Sequence, residues 1–349
     1  MASFGIPQSR LKEARTKLPP IKISSFVDPR EPWVLVPNGS LLGFFDWVPE
    51  NLRVGPWSRL ALPTIIMVIS MLCHFQPADD EREIFISSYP SLYSKLWCYN
   101  AVGFCYMFSV IAWIAKYRSK GAIVTFTLIS WTLNMARHLI STIAPFLSDH
   151  HFLLKVNHIL RFPALVSASI TFTVWNFVLL PYIYFTKLET KEKKDRFLGF
   201  NFKFRMVQQH VCNVIYAILN TMITCSMQER RNDNAISSMS PKIFDMKDLW
   251  YGAACTMGYG LFYTMILDRI GVHLYPVFSP RSNFVVITWC AVFLLICGFY
   301  YFWNWVIEEH LDLLNFEALL LVNFFISAIC GILNSVVFIK TRKQIDDEL

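Results

Sequence analysis

The chain has 349 residues, 54% of them hydrophobic and 16% charged, with a mean hydropathy of +0.40. Soluble domains carry about 25% charged residues, so the composition points to a bilayer, and 30 Phe, 11 Trp and 14 Tyr exclude a disordered chain. Nine cysteines, an odd number set mostly in apolar runs, argue against a disulfide scaffold; a formal charge of +7 scattered between apolar runs argues against a nucleic-acid binder.

Residues 1–58 are polar, Pro-rich and basic, without the apolar stretch of a cleavable signal peptide. They read as a cytoplasmic tail on one membrane domain, 59–339, which a short cytoplasmic tail, 340–349, follows. The expected fold is all-α, a polytopic membrane bundle of about eight transmembrane helices. The spans predicted are Arg59–Phe75, Leu96–Ala115, Gly121–Phe146, Phe162–Phe185, Met206–Cys225, Leu249–Leu267, Asn283–Val306 and Phe316–Ile339. Each is near the ~20 apolar residues that cross a bilayer, the first being the shortest. Pro163 and Pro181 are expected near the ends of the fourth span, where a missing N–H costs little.

The loops orient this arrangement. Eight spans leave both termini on one side, which carries 23 Lys/Arg when Arg59 is counted with the tail; the other side carries 8, and Arg137 lies inside a span. The bias places both termini in the cytoplasm. It also brings the basic run Lys187–Arg205 against the anionic leaflet, where the plainer reading is a solvated loop. The glycosylation sequon Asn38-Gly39-Ser40 is then unmodified. The C-terminal Asp346-Asp347-Glu348-Leu349 resembles a lumenal retrieval signal, which conflicts with a cytoplasmic terminus; the charge count carries more weight. Endoplasmic reticulum and plasma membrane both stay open as the location.

Phosphate loops, nucleophile elbows and zinc motifs are absent, and no cofactor or metal is expected. His150 and His151 are adjacent, so their side chains diverge. Cys98/Cys105 and Cys290/Cys297, each seven residues apart, read as reduced cysteines packed on one helix face.

Polar residues inside spans carry the functional reading, since lipid offers them no partner. In the fifth span His210, Asn213, Ala217, Asn220 and Thr224 fall on one helix face. Interhelical hydrogen bonding is the plainer role for Asn213 and Asn220. The third span shows two polar faces, Thr125 with Thr132, and Ser130, Asn134, Arg137 and Ser141, as in a helix at the middle of a bundle. Arg137 and His138 are expected near the outer end, about 24 Å from Gly121 along the axis at 1.5 Å per residue, in reach of snorkelling. Thr125 and His210 are each the fifth residue of a span entered from the cytoplasmic side. Shared depth permits a pair in which histidine takes the proton of a threonine nucleophile. Such a pair needs helices three and five to touch, with the two groups within about 2.6–3.2 Å, or looser when the site is empty.

Val124-Thr125-Phe126, Phe162-Pro163, His210, Gly258-Tyr259 and the run Gly271 to Pro276 occur in an order that resembles the family of androgen-induced protein 1 and the androgen-dependent TFPI-regulating protein. The resemblance covers about 97–306. It implies a core of six membrane helices and an intramembrane threonine hydrolase acting on fatty acid esters of hydroxy fatty acids. The family threonine falls on Thr125 and its histidine on His210. Val207 and Val211 stand where family members carry a histidine and a threonine.

Asp268 ends the sixth span at the level of His210, where it is a candidate to orient the imidazole; its plainer role is an interfacial aspartate beside Arg269. Gln208, Gln209 and Asn213 are candidate donors to an oxyanion. The expectation is therefore a lipid-ester hydrolase in the bilayer, with a lipid ester as partner and no nucleic acid. The alternative is a non-catalytic polytopic protein, a lipid transporter or scaffold; the repeat symmetry common in transporters is not visible here.

Overall fold

The computed structural model describes residues 52, 56–76, 92–117, 124–147, 151–232, 244–270 and 272–310. Nearly all of the N-terminal tail with its sequon, Gly121, His150, Gly271, the eighth predicted span and the C-terminal tail lie outside these residues.

Every regular element among the described residues is helical: α1 (Ala61–His74), α2 (Lys95–Tyr117), α3 (Phe126–Ile143), α4 (His151–Ile159), α5 (Arg161–Thr173), α6 (Lys191–Asn201), α7 (Asn213–Asn232), α8 (Met246–Phe262) and α9 (Val285–His310). Three stretches are long and apolar enough to cross a membrane, Lys95–Lys116, Phe152–Thr186 and Val285–Ile307. The first and third bury little of their surface inside the molecule, whereas the second buries more than half. The first predicted span becomes α1, whose 14 residues extend only about 21 Å, short of a ~30 Å hydrocarbon core.

The described helices fall into two compact units: unit 1, Met1–Ala78, Trp113–Thr125 and Ala253–Cys297; unit 2, Asp79–Ala112, Phe126–Gly252 and Gly298–Leu349. In unit 1, α1 buries Ala61, Thr64, Ile65 and Val68, the i, i+3, i+4, i+7 stripe of a one-sided helix. Trp57, Ala61 and Ile65 form a small core against Leu261 and Met265.

Unit 2 is organised by α5, which buries every residue from Arg161 to Thr171 and packs with α3 and α7. Its small residues Ala164, Ser167, Ala168 and Ser169 let neighbouring helices approach closely. Trp303 donates to Ser169 Oγ at 2.9 Å, and that hydroxyl donates back to Leu165 O at 2.8 Å. Arg161 pairs with Asp248 at 2.8 Å, and both are buried.

Pro181 lies near the end of its helix, which stops at Lys187, in the single α turn Leu180–Tyr182 between π-helical stretches Val174–Leu179 and Ile183–Lys187. Proline cannot donate to the preceding turn, and the wider π turns re-register the hydrogen bonds around that gap. Two expectations change. Helix α3 buries one polar face, not two. Thr125 precedes the helix, and Thr132 is exposed, its hydroxyl donating to Leu128 O at 2.8 Å within its own turn. Finally, Cys98, Cys105 and Cys290 are free but exposed, so they are not packed in a core. Free thiols are weakly polar enough to face apolar surroundings without a partner.

Candidate functional site

The polar face predicted for α3 is buried: Ser130, Asn134, Arg137 and Ser141 point inward with Trp131 and His138. Asn134 donates to Asn213 Oδ1 at 2.8 Å, and Asn213 donates to Ser130 Oγ at 2.9 Å. An amide that offers a donor and an acceptor in opposite directions thus stitches α3 to the start of α7. Asn220 brings its amide nitrogen to 3.5 Å from the His138 ring, and Asn100 Oδ1 lies 2.9 Å from the same ring nitrogen.

Arg137 does not snorkel. Its side chain is fully buried, donating to Asn157 Oδ1 at 3.1 Å and to Thr221 Oγ1 at 3.3 Å. Inward partners hold a guanidinium that position along the helix alone would have sent to the surface.

His210 lies in a π-helical turn, Gln208–Cys212, just before α7. His210, Asn213, Ala217 and Asn220 are all buried, so the face predicted for the fifth span turns inward, with the π turn's wider register at its start. The imidazole is buried and stacks on Trp175, with centroids 4.4 Å apart and planes 20° apart. Trp175 is itself held by its indole N–H, which donates to Asn201 Oδ1 at 3.1 Å. Asn176 donates to the His210 carbonyl at 3.2 Å, a carbonyl that the π turn leaves accessible. Among the described residues, His210 Nδ1 has no hydrogen-bond partner. Gln208 and Gln209 are buried in the same turn. Trp175, Asn176 and Asn201 were not legible as site residues, because a lone indole or amide side chain carries no spacing signal.

Thr125 is partly buried in unit 1, immediately ahead of α3. Tyr259 Oη donates to the Val124 carbonyl at 2.9 Å, fixing the backbone one residue before it. Nearby in the same unit, Tyr263 Oη accepts the N–H groups of Leu274 and Tyr275, both at 3.0 Å. Tyrosines one turn apart therefore tie down two of the short segments that carry the resemblance.

Asp268 is the hub of unit 1. One Arg281 nitrogen, Nη1, reaches both carboxylate oxygens, at 2.6 and 2.7 Å. Trp57 Nε1 donates to Oδ2 at 3.3 Å, and His273 Nδ1 stands 3.2 Å from Oδ1. Asp268, Arg281, His273 and Trp57 are all buried. Arg269 covers the Trp57 ring at 4.9 Å, its charge facing the π cloud. The imidazole brought to Asp268 in unit 1 is thus His273, which sequence reasoning passed over although it lies inside the run Gly271 to Pro276. His210 belongs to unit 2.

Among the described residues no three His, Cys, Asp or Glu side chains are grouped to hold a metal ion. No family model matches the chain, and no curated protein or solved structure matches it significantly.

Proposed function

We propose that this chain is an intramembrane hydrolase of lipid esters, with Thr125 as nucleophile and His210 as general base. The observation that carries the reading is the state of His210: a buried imidazole, oriented by a stacked indole, with an unpartnered ring nitrogen. A buried polar atom without a partner costs free energy. A reaction that hands it a hydroxyl proton supplies the partner. Its place in a π turn agrees, since such turns concentrate at functional sites.

In the proposed reaction the Thr125 hydroxyl adds to the ester carbonyl carbon as its proton passes to His210. The tetrahedral intermediate collapses, the C–O bond to the alcohol breaks, and His210 returns the proton to the departing oxygen. Water then hydrolyses the acyl-threonine with the same imidazole as base. Gln208 and Gln209, buried in the same turn as His210, and Asn213, whose amide joins Ser130 and Asn134, are the candidate oxyanion donors. Fatty acid esters of hydroxy fatty acids are the substrates the resemblance suggests. Eight spans around a six-helix core, both termini cytoplasmic, in the endoplasmic reticulum or plasma membrane, complete the proposal.

A fluorophosphonate probe tests it on the full-length protein in detergent. Wild type is labelled; Thr125→Ala loses the label, and His210→Ala loses at least about 100-fold in labelling rate, the low end of general-base catalysis. Labelling that persists in Thr125→Ala overturns the assignment. A second reading, a non-catalytic transporter or scaffold, draws on the hydrogen bonds that run from Asn134 to Asn213 and from Asn213 to Ser130, which join two helices as a purely structural interior does. It requires that no lipid ester be turned over by the purified protein.

A further inference from the structure

The segment 187–205 carries seven Lys/Arg against Glu189, Glu192 and Asp195. It follows directly on Phe152–Thr186, which is long and apolar enough to cross a membrane. A solvated loop would leave its charges on irregular backbone and keep large apolar side chains few. The segment instead forms α6, begun by Thr190, whose Oγ1 accepts the Lys193 N–H at 3.3 Å. Lys191, Lys193 and Arg196 are exposed along it, Arg196 pairing with Glu192 one turn back.

Large rings are exposed among these cations. Phe185 is 74% exposed, Phe202 44% and Phe204 41%. The helix is also anchored at both ends within unit 2. Lys194 Nζ sits over the Tyr184 ring at 5.2 Å, and Asn201 accepts from Trp175. An anchored, net basic segment whose helix exposes cations and whose flanks expose phenyl rings matches the headgroup zone of a bilayer. There phosphates take the charge and the upper acyl region takes the rings. Water alone satisfies only the first.

We infer that α6 and its flanks, 187–205, form a membrane-surface element that binds anionic lipid headgroups. The inference is independent of the proposed hydrolysis, because it needs neither Thr125 nor the His210 ring.

The test uses full-length wild-type protein in nanodiscs of phosphatidylcholine alone, or of phosphatidylcholine with phosphatidylserine. A water-soluble acylating reagent modifies lysines, and mass spectrometry reads Lys191 and Lys193. Each basic residue near an anionic surface gains ~1 kcal/mol, so the expected result is about fivefold slower acylation in the phosphatidylserine discs. High salt should remove that protection, as screening requires. Equal rates in the two discs at low salt overturn the inference, as does protection that is the same in both and indifferent to salt. Because the comparison is made on one wild-type protein, no variant has to fold.

Discussion

The two units hold their buried polar groups in different ways. In unit 1 a single carboxylate, Asp268, gathers Arg281, Trp57 and His273, residues that lie in non-helical segments. At the α3–α7 contact of unit 2, neutral amides and hydroxyls on helices do the joining, Asn134 with Asn213 and Asn213 with Ser130. A helix satisfies its own backbone, so two helices need only a few side-chain bonds to fix their register. Irregular chain has no such self-sufficiency, and a multivalent acceptor can pin several strands of it at once. The Arg161–Asp248 pair of unit 2 fits the same rule, for Arg161 and Asp248 stand at the beginnings of α5 and α8, where the helical ladder is incomplete.

The contrast can be broken most severely at the hub. Asp268→Ala leaves Arg281 buried without its carboxylate, and the loss should be about 3–5 kcal/mol, read as thermal unfolding of the detergent-solubilised protein. Replacing both members, Asp268→Leu with Arg281→Met, should recover most of it, since a buried pair exchanged for apolar side chains costs little. Failure of the double variant to recover would mean that Asp268 holds Trp57 and His273 more than it neutralises Arg281.

Two glycines compare how tightly each unit is packed, at an intermediate level of effect. A Cβ on Gly252 in unit 2 would come to 2.5 Å from the Phe162 ring, and one on Gly260 in unit 1 to 2.6 Å from the Trp289 ring. Both rings are buried. Gly252→Ala and Gly260→Ala should each cost about 1–3 kcal/mol in the same unfolding assay. Unequal losses would identify the unit whose interior yields.

The smallest effect is expected where the amides join. Asn213→Ala should cost about 0.5–1.5 kcal/mol, the net worth of a typical intramolecular hydrogen bond. A loss as large as that of Asp268→Ala would erase the distinction between the two units.

Much of the helical layout was legible. The apolar runs that start near Leu96, Phe162 and Asn283 become the three stretches able to cross a membrane, and the inward face Ser130, Asn134, Arg137, Ser141 follows from helical period alone. The site was legible only by residue type. His210 could be singled out as a histidine within an apolar run, yet its stacking on Trp175 and the π turn that presents it were not. Periodicity assumes a uniform helix, and a π turn breaks that assumption by one residue. Thr125 fell outside α3 for a related reason: apolar composition runs through a helix start without marking it.

Composition and periodicity by themselves determined that this chain is helical, rich in bilayer-length apolar segments, and polar on particular helix faces. These are local properties, set by which side chains can face lipid and by a repeat of 3.6 residues. Only the tertiary structure decided which groups meet: Asp268 with Trp57, 211 residues away, and Trp175 with both His210 and Asn201. Such partners are chosen by packing between remote segments, where a buried charge or amide must find whichever complement the fold brings within 3 Å or so, and no spacing along the chain encodes that choice.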